Sequence, residues 1–356
     1  MRKMRNVLKL AAVLFIVAVF AVPAAAIHAS GEDVPDEFIP YSEQLDANGK
    51  AIYEALNSAE PDVRTMVVDL PVVLTAKSSD PDEARDFVTD LVKDSIKEAF
   101  VAMRLGSPLA FLAWTPTTVQ YDIDMTVLGD TATATSITFK IDYVNYPKDP
   151  KTGEFQGIEK MLEDINAAVD KFHTDGKTAR DKVQDINNYI VNLATYDPNM
   201  GGKDESRFSH DVYGVFVDPK HYAVCDGYSK AFLLLCEKEG IECVVVLGTS
   251  LPNLVNHAWN YVKMDDGKWY GMDVTWNDGK GNPYFLSGGD TFFLSHHQGV
   301  FLTAADLSPY PFNSPTLSKT KYDKDSEWNK IYTWILAAAI VAIISAVLYR
   351  YARRNG

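Results

Sequence analysis

The sequence predicts an α+β fold in which a cysteine at a helix start packs on an antiparallel sheet. A helical and β-hairpin region precedes that core, and a transmembrane helix follows it. Three observations carry this. An apolar run at helical spacing follows Cys225 and stops at Gly240. Two strands around Asp265-Asp266-Gly267 carry His257 and Asp273. The last apolar run of the chain, Ile331 to Tyr349, has 19 residues and no charge, enough to cross a bilayer as a helix.

The elements follow in order. Asp46–Leu56 and Asp82–Leu105 read as amphipathic helices, the second with Phe87, Leu91, Ile96, Phe100 and Met103 as its apolar stripe. Tyr121, Ile123, Met125 and Val127 alternate with polar residues, and so do Ile137, Phe139, Ile141 and Tyr143. Leu128-Gly129-Asp130 between them marks a hairpin. Helices are expected over 158–172 and 178–194, the latter stopped by Asp197-Pro198. Residues 199–207, with Gly201-Gly202, read as a surface loop beside the core. Tyr228, Ala231, Phe232, Leu235 and Cys236 give the helix after Cys225 its spacing, and Cys243–Leu247 is an apolar strand. The expected organisation is a signal peptide over 1–26, an N-terminal α/β region over 31–150 and a catalytic domain over 151–305. A stalk over 306–330, the membrane helix over 331–349 and a cytoplasmic tip over 350–356 complete it.

The chemistry is expected from Cys225, His257 and Asp273. A thiol becomes a good nucleophile when an imidazole takes its proton, and the imidazole works best when a third group orients it. A helix start gives Cys225 the positive end of the helix dipole and free N–H groups where an oxyanion would form. Asp226 opposes the thiolate. Gly267 suits the αL position of a three-residue hairpin loop, which pairs Met264 with Lys268. Positions 257 and 273 then lie on one face as diagonal neighbours, whereas a two-residue turn would separate them. Gly227, Tyr228 and Trp259 are the candidate substrate-binding residues. Gly227 leaves room beside the thiol, and Trp259 shares the face of His257 and Asp273. Trp276 takes the other face and reads as core. Tyr213, His221 and Tyr222 are weak candidates for a side-chain oxyanion donor. His296-His297 reads as structural or exposed.

The segment from Ser209 to Phe285 resembles the transglutaminase-like superfamily core, related to papain-type thiol enzymes. The matching stretches are Tyr213-Gly214-Val215-Phe216, Ala223-Val224-Cys225-Asp226-Gly227-Tyr228, Leu235-Cys236, Gly240-Ile241-Glu242-Cys243, His257-Ala258-Trp259-Asn260, Gly267-Lys268-Trp269-Tyr270 and Asp273-Val274-Thr275-Trp276. The resemblance implies Cys225 as nucleophile, His257 as general base and acid, and Asp273 as orienter. The superfamily holds cross-linking enzymes, peptidases, amidases and inactive members, so it does not fix the reaction. The expected function is a cell-surface thiol acyl-transfer enzyme acting on peptide or carboxamide bonds, with hydrolysis preferred. The alternatives are a cross-linking transglutaminase and a non-catalytic surface binding module.

The net charge of −14 argues against nucleic-acid binding, which needs a basic surface. No metal-binding spacing or cofactor motif occurs, so no metal or cofactor is expected. Arg2, Lys3, Arg5 and Lys9 precede the apolar run Leu10 to Val22 and Pro23-Ala24-Ala25-Ala26, the pattern of a secretory signal peptide. Arg350, Arg353 and Arg354 after the second apolar run place that end in the cytoplasm and residues 31–330 outside the cell. The expected partners are a protein or peptide substrate, including wall or surface proteins, and the membrane. Cys236 and Cys243 read as core residues.

Overall fold

The computed structural model describes residues 37–146, 148, 153–299, 312–323, 334–336, 338–346, 350–351 and 353. Residues 37–322 form one compact unit. The leader over 1–26 lies outside the described residues. Of the expected stalk, 312–323 are described, and they correct that expectation: Phe312 and Leu317 are buried in a core cluster, and Ser318 N donates to Trp269 O at 2.8 Å, so this segment packs on the domain. Of the expected membrane span, 334–336 and 338–346 are helical and the rest lies outside the described residues. Among the described residues no helix is long and apolar enough to cross a membrane.

The N-terminal region holds helix α1 (Ala47–Asn57), strand β1 (Thr65–Lys77), helix α2 (Pro81–Gly106) and strands β2 (Thr118–Leu128) and β3 (Thr131–Asp142). Asp46 caps α1 by accepting from Gly49 N at 2.6 Å, and Asp80 caps α2 through Asp82 N at 3.0 Å. The three strands form an antiparallel sheet in the order β1-β3-β2. The hairpin turns at Gly129-Asp130, pairing Leu128 with Thr131. Strand β1 is not evident in the sequence pattern. Its register shifts between Asp69 and Leu74, around Pro71, a residue that sheets admit at edges and bulges.

Helices α3 (Ile158–Val169) and α4 (Ala179–Leu193) follow, then the two-residue strand β4 (Thr195–Tyr196) and the short helix α5 (Val212–Phe216). Strand β5 (Tyr222–Ala223) runs parallel to β4 and delivers the chain to helix α6 (Cys225–Lys238). The loop between β4 and α5 is tied internally: Asp197 accepts from Asn199 N and Ser206 N, and Glu205 accepts from Gly201 N. Gly240, at φ 70°, ends α6 as the spacing predicts. One buried cluster includes Ile52, Phe139, Ile165, Ile190 and Phe232. The core therefore runs unbroken across the sequence boundary expected at 150.

Strands β6 (Cys243–Ser250), β7 (Val255–Lys263) and β8 (Trp269–Met272), with β9 (His296–Gln298), make an antiparallel sheet ordered β8-β7-β6-β9. Asn260 donates from this sheet to Ser229 O of α6 at 3.0 Å. The hairpin register pairs Asn260 with Met272 and Lys263 with Trp269, which is the register expected from a three-residue loop. Gly267 takes φ 78° there. The second strand ends at Met272, one residue short of Asp273, which was expected to lie on it. Asp273 accepts from Trp276 N at 3.0 Å and starts the short helix α7 (Val274–Asn277). Another short helix, α8 (Gly289–Phe292), precedes β9.

Candidate active site

Cys225 is the first residue of α6, after the extended Val224, and is 9% exposed. His257 lies near the start of β7 and is 6% exposed, and Asp273 is fully buried where β8 becomes α7. His257 Nε2 and Asp273 Oδ2 are 2.8 Å apart. The hairpin thus brings two of the three predicted residues into direct contact.

The thiol is less simply placed. Cys225 Sγ donates to Asp226 Oδ1 at 3.6 Å, and among the described residues no hydrogen bond joins it to His257. It also lies against the backbone N–H of Ala258, the neighbour of His257. Burial and the Asp226 charge push the thiol well above its ordinary range, with the Ala258 N–H opposing them. The helix start alone therefore does not make a thiolate at rest.

Asp226 is itself compensated. Arg104 of α2 reaches its Oδ2 at 2.6 Å, and His210 Nδ1 lies 3.4 Å away. Burial raises the Asp226 carboxyl, but the His210 hydrogen bond and the Arg104 charge outweigh it and hold it well below the carboxylate range. Nearby, Lys230 donates to Asp211 Oδ1 at 3.1 Å and to His210 O at 2.8 Å. The N-terminal region thereby contributes a guanidinium beside the thiol, a contact between residues 122 apart in sequence that spacing does not reveal.

Asp273 has a second partner. His296 Nε2 is 3.0 Å from the same Oδ2 that His257 engages, and His296 is fully buried. Its Nδ1 lies 2.9 Å from Ser295 Oγ and 3.2 Å from Phe292 O. Its ring stacks on Phe292 at 3.9 Å between centroids. Burial raises the Asp273 carboxyl, yet the charge and hydrogen bond of His257 and the bond from His296 bring it to about 2. Burial lowers His296, against the pull of Asp273. His296 is therefore not exposed, and it touches the predicted Asp273 directly. His257, Asp273 and His296 also place ligating atoms within 4.8 Å of one another, a set that could take a divalent cation. Their hydrogen bonds to one another satisfy them without one.

The three candidate substrate-binding residues are all buried. The position of a Gly227 Cβ would lie 2.4 Å from Ser209 O, so this glycine serves close backbone packing instead of opening a substrate space. Tyr228 is buried and donates to Asp278 Oδ2 at 2.8 Å. Trp259 is 0% exposed and packs edge-on to His296 and Phe292. Gly248 admits it: a Cβ there would lie 2.5 Å from the Trp259 ring. Trp276, read as core on strand parity, instead stacks on His257 at 4.9 Å and is half-buried. Parity failed because α7 had already replaced the strand. Sequence reasoning also missed Tyr196. It stacks on Tyr228, and burial followed by the Cys225 and Asp226 charges raises its hydroxyl. Of the weak oxyanion candidates, His221 is engaged through Nδ1 with Val215 O at 2.7 Å, and the Tyr213 ring packs on Phe208. All three cysteines are free.

Residues 166–274 match the transglutaminase-like superfamily. Kyphoscoliosis peptidase of Homo sapiens is 34% identical over 133 residues, covering 35% of this chain and 18% of that protein. Its Mus musculus counterpart is 35% identical over 65 residues, covering 15% of this chain and 10% of that protein. The chain thus spans less than a fifth of the curated relatives it matches. Among solved structures, a TGase is 18% identical, with 66% of this chain and 56% of that chain covered and a TM-score of 0.27. The periplasmic domain of TgpA from Pseudomonas aeruginosa is 13% identical, with 45% and 66% covered and a TM-score of 0.19. Such loose structural likenesses add nothing to the site geometry. The family match shows that the chain carries a transglutaminase-like domain.

Proposed function

We propose that this transglutaminase-like domain is a thiol acyl-transfer enzyme acting on peptide or carboxamide bonds. The observation that carries the reading is the buried 2.8 Å contact between His257 and Asp273 beside a cysteine at a helix start. Asp273 holds the proton of His257 on Nε2, which leaves Nδ1 as the basic atom. Cys225 turns from Asp226 toward that ring as substrate enters, a tightening for which a resting enzyme leaves room. The imidazole takes the thiol proton, and sulfur attacks the substrate carbonyl carbon. His257 returns the proton to the leaving amine, and a thioester remains on Cys225. Free N–H groups of the first turn of α6 stabilise the oxyanion. Water then adds to the thioester, with His257 as base, and releases the acid and the thiol.

We favour hydrolysis over transfer to an amine. Transamidation needs a pocket that shields a lysine chain from water, and Trp259, a candidate substrate-binding residue, is fully buried against His296 and Phe292. The word peptidase in the names of the curated relatives is in line with this. The experiment is incubation with a glutamine-containing protein and a dansyl-type primary amine, alongside an assay of ammonia or new carboxyl termini. Cys225-dependent hydrolysis without stable fluorescent labelling is expected, and Cys225-dependent labelling would replace hydrolase with cross-linker. One observation favours the rival, a non-catalytic binding module: the thiol is bonded to Asp226 and not to His257. Failure to form any acyl adduct on Cys225 would select it. From the two apolar end segments, we also place the domain on the outer face of a membrane. Protease added to intact cells should release it.

A further inference from the structure

The site holds a buried histidine for which the mechanism above has no use. His296 comes from β9, on the far edge of β6 from β7. Ser250 pairs with Val255 on one side and with His296 on the other. The ring therefore lies on the sheet face that carries His257. It reaches the same Asp273 oxygen at 3.0 Å, while Asp273 Oδ1 accepts from Trp276 N at 3.0 Å. Both carboxylate oxygens are thereby fixed, one by backbone and one by two imidazoles.

The tautomer of His296 follows from its neighbours. With its proton on Nε2, the ring donates to Asp273, and Nδ1 accepts from the Ser295 hydroxyl at 2.9 Å. With its proton on Nδ1, the ring would donate to Phe292 O at 3.2 Å but turn a lone pair toward a buried carboxylate. The first arrangement sets Nδ1 beside Phe292 O, a neutral carbonyl that already accepts from Ser295 N at 3.2 Å; the second sets a lone pair against a buried carboxylate, which is the costlier opposition.

We propose that His296 is a positioning residue, whose Nε2–H fixes the Asp273 carboxylate so that it holds His257 in the tautomer and orientation that Cys225 requires. The chain runs Ser295 to His296 to Asp273 to His257. His296 touches no reacting atom. A carboxylate with one imidazole partner can swing about its Cα–Cβ and Cβ–Cγ bonds, and the base swings with it. Two imidazoles on one oxygen, with Trp276 N on the other, remove that freedom. Stacking on Phe292 and the edge of Trp259 then fix His296 itself. Small errors in base placement are costly in acyl transfer.

The inference rests on the thiol-enzyme reading, and two readouts separate them. In the full chain labelled with ¹⁵N-histidine, nitrogen shifts report each tautomer without any substrate. His257 and His296 should both carry the proton on Nε2, with downfield, slowly exchanging N–H signals. A protonated Nδ1 with a bare Nε2 on His296 would overturn the proposal whatever any variant does. In His296→Leu, the His257 N–H signal should broaden or vanish, and the acylation burst with p-nitrophenyl acetate should slow about tenfold, the scale of an outer orienting contact. His296→Gln keeps a donor and should restore both within about threefold of the parent. A folded His296→Leu protein with an unchanged His257 signal and burst would reduce His296 to packing. Absence of any burst in the parent protein would sink the thiol-enzyme reading, while the nitrogen shifts would still decide the role of His296.

Discussion

Two buried aspartates flank the candidate nucleophile, and their surroundings differ in kind. Asp226 follows Cys225 in the chain and is neutralised by Arg104 and His210. Asp273 lies 48 positions on from Cys225 in the sequence and is held by two imidazoles and a backbone N–H. Both carboxyls are held below their ordinary range. Only Asp273 passes its charge to a group with a free basic atom. The charge of Asp226 ends on a guanidinium, so it holds the thiol proton at rest without supplying a base. Ionisation alone does not define a catalytic carboxylate; its partner does.

Substitutions should separate the two regions, beginning with the nucleophile they share. Cys225→Ala should remove all turnover and all acyl adduct while circular dichroism stays unchanged, and retained turnover would move the chemistry elsewhere. Asp273→Asn should slow acylation on the order of 10²–10⁴-fold, by analogy with serine triads. A loss below about threefold in stopped-flow acylation would place Asp273 outside the mechanism.

Asp226→Asn should act with the opposite sign on the thiol. Removing a like charge beside sulfur should speed alkylation of Cys225 at neutral pH by about tenfold, one pKa unit. The same variant leaves Arg104 without its ion-pair partner, while His210 keeps Glu205 at 3.0 Å, and should lose about 1–3 kcal/mol in urea unfolding. Slower alkylation would mean that Asp226 assists the thiol, and the contrast between the two aspartates would fail.

A further effect is on acid stability. Asp273 is held at about 2 against an ordinary 3.8, so the folded state favours its ionised form. Its contribution is complete above about pH 4 and is lost as pH falls through about 2. It amounts to about 2 kcal/mol. A plot of Tm against pH should therefore be shallower between pH 4 and 2 in Asp273→Asn than in the parent, and equal slopes would show that Asp273 gains nothing from its imidazoles.

Much of this arrangement is legible in the sequence, and the exceptions have physical causes. The turn chemistry of Asp265-Asp266-Gly267 fixes the hairpin register, and the register brings His257 to Asp273. The spacing after Cys225 and the stop at Gly240 define α6. Strand β1 escapes notice because Pro71 interrupts its pattern, yet it lies at a sheet edge where a bulge absorbs the proline. Trp276 was assigned by strand parity, which ends where Asp273 caps a helix. Asp273 is itself a favoured N-cap residue type, which is the readable signal for that change. His296 and Arg104 carry no such signal. Their places depend on β9 closing on β6 and on α2 approaching the start of α6, and neither follows from local pattern.

The most direct test of the central claim is acyl-enzyme trapping. The full chain is mixed with p-nitrophenyl acetate, which needs no specific recognition, quenched in acid within seconds and mapped by mass spectrometry. The triad reading predicts an acetyl increment on Cys225 and not on Cys236 or Cys243, with its formation slowed on the order of 10²-fold or more in His257→Gln. An adduct spread over all three cysteines, or one on Cys225 that forms as fast without His257, would contradict it.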